Sequence, residues 1–179
     1  MAILSRSTCV PLAALALFAA GCGNADTIQT YTVPKSLGDY RLLGAMFPAD
    51  DPQWFFKFSG KADQFTGFEG DFDKILASVK LPAGGGTPEF TVPEGWKRGG
   101  PRGVVAATIA PPGSTLEVTI TQSGGGMAFN LDRWVKQIGL IPGPDDAAKY
   151  TKPIDAMGVK GLRVDMTGPK NPITMRGGR

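Results

Sequence analysis

The chain has no histidine and only two cysteines, Cys9 and Cys22, in 179 residues. Without histidine there is no Ser-His-Asp or Cys-His catalytic arrangement, no histidine-ligated zinc and no haem held by histidine. An excess of one charge is missing too: 19 Lys and Arg stand against 16 Asp and Glu, a net charge of +3 with no basic block. Nucleic acid is therefore not an expected partner. The N-terminal apolar run, Val10 to Ala20, falls short of the roughly 20 residues that a bilayer-spanning helix needs. What abounds is glycine and proline, 25 and 15 residues. Together they make about 22% of the chain against roughly 12% on average, which favours turns and loops over a helical bundle. A hydrophobic fraction of 42% suffices for one core, and the length suits one domain.

Residues 1–21 combine a positive start (Arg6), a short apolar middle and a small-residue end, the pattern of a secretory signal. Ala19-Ala20-Gly21-Cys22 resembles a bacterial lipobox, with Ala19 where Leu is usual. The resemblance implies cleavage before Cys22 and lipidation of its thiol with a diacylglyceryl group. The mature chain then keeps no free thiol, so no disulfide, thiolate–metal site or cysteine nucleophile. Its acyl chains, at about 0.8 kcal/mol per buried CH₂, hold it on a membrane. Gly23 rather than Asp after the cysteine favours the periplasmic face of the outer membrane. The alternative is an ordinary secreted protein with a stray cysteine.

Residues 22–39 read as a lipidated polar tether and a first edge strand (Ile28 to Val33), and residues 40–179 as one α+β domain in two halves, 40–82 and 88–179, joined by the Gly84-Gly85-Gly86 loop. Tyr40 to Phe47 and Gln53 to Ser59 flank Pro48-Ala49-Asp50-Asp51-Pro52, whose turn chemistry predicts a hairpin. Phe65, Phe68, Phe72, Ile75, Leu76 and Val79 recur at spacings of three and four, predicting one helix over Ala62 to Val79. Glu89 to Val92 is expected to be extended. Strands are expected at Gly103 to Ala110 and Thr115 to Gln122, the second with Leu116, Val118 and Ile120 alternating with polar residues. Asn130 reads as the N-cap of a helix carrying Leu131, Trp134, Val135 and Ile138, with Gly139 closing it. A helical turn at Asp145 to Tyr150 and strands at Pro153 to Met157 and Gly161 to Met166 complete an antiparallel sheet with packed helices.

Several stretches carry a family resemblance: YTVPKS (31–36), RLLGAMFPADDPQWFFKFSG (41–60), FDKILASVKL (72–81), PEGWKRG (93–99), NLDRWVKQIGL (130–140) and VDMTGPK (164–170). The chain resembles an uncharacterised family of planctomycete-type bacterial lipoproteins, most specifically in Asn130-x-x-Arg133-Trp134-x-x-Gln137. It departs from the family at Lys136, where arginine is usual, and at Asp132, where a second Asn is usual. More distantly the pieces resemble a PsbP/Mog-like domain in circularly permuted order, with the Glu94-Gly95-Trp96 part following the strand–helix part. The alternative is two half-units that swap with a partner chain. The resemblance implies a shared fold and use as an accessory domain.

Asn130, Arg133 and Gln137 lie at helical spacings of three and four beside Trp134, which suits a surface for a carboxylate-bearing or peptide ligand. The bland alternative is a capping Asn, a core Trp and an Arg tied to a neighbouring loop. Trp54, Phe56 and Phe58 share one strand face and could line a ligand groove or fill the core. Lys57 among them is either a functional amine or a stem laid along apolar surface. Glu69, Asp71 and Asp73 lack the calcium-loop pattern, and the glycine triplets lack the Gly-Lys-Ser/Thr of a phosphate loop. No metal and no cofactor are predicted. The expected function is a non-enzymatic envelope module that docks an envelope protein. The alternatives are a small-ligand carrier walled by the aromatic hairpin and helix, and, remotely, an enzyme working through carboxylates.

Overall fold

The computed structural model of the chain describes residues 39–172. The signal segment, Cys22, the tether and the expected strand at Ile28 to Val33 lie outside the described residues.

Strands β1 (Tyr40–Phe47) and β2 (Trp54–Lys61) form the predicted hairpin, with Tyr40 opposite Lys61 and Phe47 opposite Trp54. β3 (Lys97–Gly99), β4 (Val105–Ala110) and β5 (Val118–Gln122) make a meander, and β6 (Thr151–Ala156) and β7 (Val159–Gly168) a last hairpin. All join one antiparallel seven-stranded sheet in the order β3-β4-β5-β2-β1-β7-β6. The architecture is α+β. β2 from the first half pairs with β5 from the second, so both halves contribute to a single sheet.

The period-two alternation of Trp54-Phe55-Phe56-Lys57-Phe58 divides the core. Trp54, Phe56 and Phe58 join Leu43, Ala45 and Phe47 on one face, under the first helix. Phe55 joins Leu42, Met46, Val164 and Met166 on the other, under the second.

The apolar stripe expected of one helix is carried by two. A 3₁₀ turn (Ala62–Phe65) precedes helix α1 (Glu69–Ala77), and Gly67 between them has φ +88°. That left-handed geometry suits glycine and ends helical hydrogen bonding, yet Phe65, Phe68, Phe72, Ile75, Leu76 and Val79 still reach the same core. Trp96 packs on Phe58 and Phe68, with ring centroids 6.0 and 5.8 Å away, and its Nε1 donates to Asp71. Thus the PEGW stretch of the second half closes the core of the first. Glu89 to Val92 makes only a single bridge, Lys80 to Glu89. β3 was not expected, because Lys97-Arg98-Gly99 has no apolar alternation. The next two strands are shorter than predicted.

Two arginines fasten α1 to the sheet. Arg41 on β1 forks onto Asp165 of β7 at 2.9 and 2.7 Å and reaches Glu69 at 2.6 Å, while Arg163 Nε donates to Asp73 at 2.7 Å. With Asp71 held by Lys74, each carboxylate of the Glu69-Asp71-Asp73 series serves a different cation. Arg41→Met should lower the unfolding free energy by about 1–2 kcal/mol in urea titrations, because two carboxylates lose a charge-assisted partner. Arg41→Lys should restore only part of it, since an ammonium cannot fork onto Asp165. An unchanged Arg41→Met midpoint would show that the clasp adds nothing.

Candidate functional site

Helix α2 (Gly126–Gln137) packs Leu131, Trp134 and Val135 on the sheet face opposite α1. Its C-terminus closes as expected at Gly139 (φ +82°): Gly139 N–H donates to Lys136 O and Leu140 N–H to Val135 O, a paired arrangement that caps the last carbonyls. Its start differs from the sequence reading. The helix begins at Gly126, so Asn130 lies in the second turn rather than at the N-cap. Asn130 is fully buried, and its Nδ2 donates to the carbonyls of Gly124 and Gly126 at 3.0 and 2.8 Å. It straps the glycine loop onto the helix and faces no ligand space.

Trp134 is also buried, 2% exposed. Its ring meets Phe55 edge-on at 6.1 Å and lies over Gly44 of β1, where a Cβ would come within 2.8 Å of Cη2 and closer still to Cζ3. Gly44 therefore lets α2 approach the sheet. The register places Gly44 opposite Lys57 of β2, and Lys57 in turn opposite Thr119 of β5.

Beyond Lys57 a cleft of about 590 Å³ opens on the α2 face of the sheet. Arg133, Trp134 and Gln137 contribute from α2, Lys57 and Ser59 from β2, and Thr119 and Thr121 from β5. Arg102, Val104, Val105 and Glu117 also line it, and Arg102 ion-pairs with Glu117. Of the sequence-predicted site residues, the structure brings Arg133, Trp134 and Gln137 to this cleft and removes Asn130 from it. The aromatic face of β2 does not line it: Trp54, Phe56 and Phe58 fill the opposite core.

Lys57 is half-buried, and its Nζ donates to Gln137 Oε1 at 3.2 Å. Burial, and then the charge of Arg133, pull its pKa below the usual lysine range. No acidic side chain lies within ion-pair distance of Lys57 or Arg133 among the described residues. Among the described residues three cations thus line the cleft against one carboxylate, and that carboxylate is engaged by Arg102. Such an arrangement attracts anions. Among the described residues the cleft has no second carboxylate, and no group of three His, Cys, Asp or Glu able to hold a metal occurs.

Lys57 lies far from Arg133 and Gln137 in the chain, and no sequence pattern joins it to them. The alternation of Glu117, Thr119 and Thr121 with buried Val118 and Ile120 was the available signal for the polar floor. No helix among the described residues is long and apolar enough to cross a membrane. Comparison of the chain with protein-family models, with curated proteins and with solved structures finds no match in any of the three.

Proposed function

We propose that this chain is a lipid-anchored cell-envelope protein whose α+β domain is a non-enzymatic docking module for an acidic envelope protein. One observation carries the docking reading: Lys57 and Arg133 share one cleft, and among the described residues no acid lies within ion-pair distance of either. Charged groups left without a counter-ion at a concave surface are suited to a partner that supplies it. The anchor rests on the Ala19-Ala20-Gly21-Cys22 sequence, with the periplasmic face of the outer membrane as its destination. The finer fold reading, a permuted PsbP/Mog-like domain akin to the planctomycete-type lipoproteins, is supported by the pairing of β2 with β5 and by the contact of Trp96 with Phe58 and Phe68.

A second reading, a carrier of small anionic ligands, is favoured by the cleft's size, about 590 Å³, which suits a small molecule. Its walls would be polar rather than the aromatic hairpin.

Crosslinking the native envelope and purifying the protein in mild detergent separates the two. A reproducible protein partner, lost with Arg133→Ala and Gln137→Ala together, is the expected result. Recovery of the same partner with the double variant would place docking elsewhere, and no partner at all would favour the carrier. The anchor has its own test. Cys22→Ser should move the protein from the membrane to the soluble fraction, and wild-type Cys22 should carry diacylglyceryl mass. A wild-type mature chain without acyl mass ends the lipoprotein reading.

A further inference from the structure

We propose that the corner of the cleft formed by Lys57, Arg133 and Gln137 is a carboxylate-binding site, and that the partner or ligand enters it through a carboxylate side chain or terminus. This rests on the docking reading and names the chemistry of its contact.

Lys57, midway along a central strand, opposite Gly44 on one side and Thr119 on the other, has its ammonium partly removed from water. Burying a cation without a counter-ion is unfavourable, and among the described residues Gln137 Oε1 accepts from one of its three donors. Arg133 sits four residues before Gln137 on α2, so both side chains project from the same side of the helix. Its charge repels that of Lys57. Two like charges converge on one space, and a single oxyanion between them turns the repulsion into two charge-assisted hydrogen bonds.

Among the described residues few charged groups face this space: α2 supplies Arg133, while β1 and β5 place the uncharged Gly44 and Thr119 beside Lys57. Arg102 and Glu117 line the same cleft but are paired with each other, so Glu117 is engaged elsewhere. Among oxyanions a carboxylate matches best. Its two coplanar oxygens fit the arginine fork and one lysine donor. A phosphate would bring a further acceptor oxygen into a corner already holding the Gln137 Oε1 acceptor.

Titration of the full mature chain in zwitterionic detergent tests this, with succinate, succinamide and inorganic phosphate as probes and the NMR signals of the Lys57 side chain as readout. Succinate should bind and raise the Lys57 pKa, and its affinity should fall as pH rises through that pKa, where the amine loses its charge. Lys57→Met and Arg133→Gln should each weaken succinate about tenfold or more. Arg133 is exposed, so its variant tests the site even where Lys57→Met perturbs folding. Succinamide should bind at least tenfold more weakly than succinate, and phosphate should also bind more weakly. Succinate that leaves the Lys57 signals unmoved, equal binding of succinamide, or tighter binding of phosphate would each overturn the proposal. If succinate fails while the crosslinked partner is still lost with the Arg133 and Gln137 substitutions, the carboxylate assignment alone falls. If succinate binds but no partner depends on those residues, docking at this cleft falls and the carboxylate site stands.

Discussion

Trp134→Ala should lower the unfolding free energy by about 4 kcal/mol, and Gly44→Val should incur a comparable loss from the other side of the same contact. The indole is fully packed, edge-on to Phe55 and directly over the Gly44 backbone. Removing it opens a cavity between α2 and the sheet that Leu131, Val135 and Ile138, each fixed in the same cluster, can fill only in part. A side chain at Gly44 overlaps the ring and lifts the helix. The two effects are coupled. In a Trp134→Ala background, Gly44→Ala should lose most of its cost, because the atoms it strikes are gone. Urea unfolding of the two single variants and the double variant measures this directly. A loss below about 1 kcal/mol for Trp134→Ala, or full additivity in the double, would show that α2 is not seated through this pair. Both variants should also weaken succinate, since Arg133 precedes Trp134 directly and Gln137 follows three residues later on the same helix.

The contact of Trp134 with Gly44 also separates what the amino-acid sequence made legible from what it did not. The two faces of β2 follow from alternation alone, and Phe55 with Lys57 does lie opposite Trp54, Phe56 and Phe58. The Phe65 to Val79 stripe identified a buried face correctly although Gly67 splits its helix, because burial depends on spacing while continuity depends on one backbone angle. Long-range register is different. Nothing local to Gly44 says that Trp134 lies above it, and nothing local to Lys57 says that β5 and α2 flank it. The cleft exists because Thr119 and Thr121 line open space beside Trp134 and Gln137 on one sheet face. Such a gap is a property of packed elements, and no single motif encodes it. The Arg133-Trp134-x-x-Gln137 spacing picks out the helix side of the cleft, and Lys57 joins it only because β2 lies beside the helix.

Asn130 gives the sharpest case of a residue misassigned by local rules, and it carries the last expectation. Its spacing to Arg133 and Gln137 suggested a shared polar face, and its chemistry suggested an N-cap. Folded, it donates from Nδ2 to two backbone carbonyls of the glycine loop, while Oδ1 has no hydrogen-bond partner among the described residues. Asn130→Asp should therefore cost about 3 kcal/mol at neutral pH. The substitution replaces the two donors with a buried carboxylate facing the oxygens of Gly124 and Gly126. The sign of its pH dependence follows. Burial without a donor raises the folded-state pKa of the new carboxyl above the roughly 3.9 of an unfolded Asp. Relative to the parent chain the deficit is then largest above the folded pKa and shrinks as pH falls toward about 4, where the neutral acid can donate to one carbonyl. Asn130→Ala, with no charge to bury, should lose about 1–2 kcal/mol equally at both pH values. Paired urea titrations at pH 7 and pH 4 distinguish the outcomes, and a deficit for Asn130→Asp that does not change with pH would mean the side chain turns to water. Because the strap sets where α2 starts, the same variant should also weaken succinate at pH 7 and recover part of that affinity on acidification. The residue would then act on the cleft by orienting the helix that bears Arg133, while touching none of what the cleft holds.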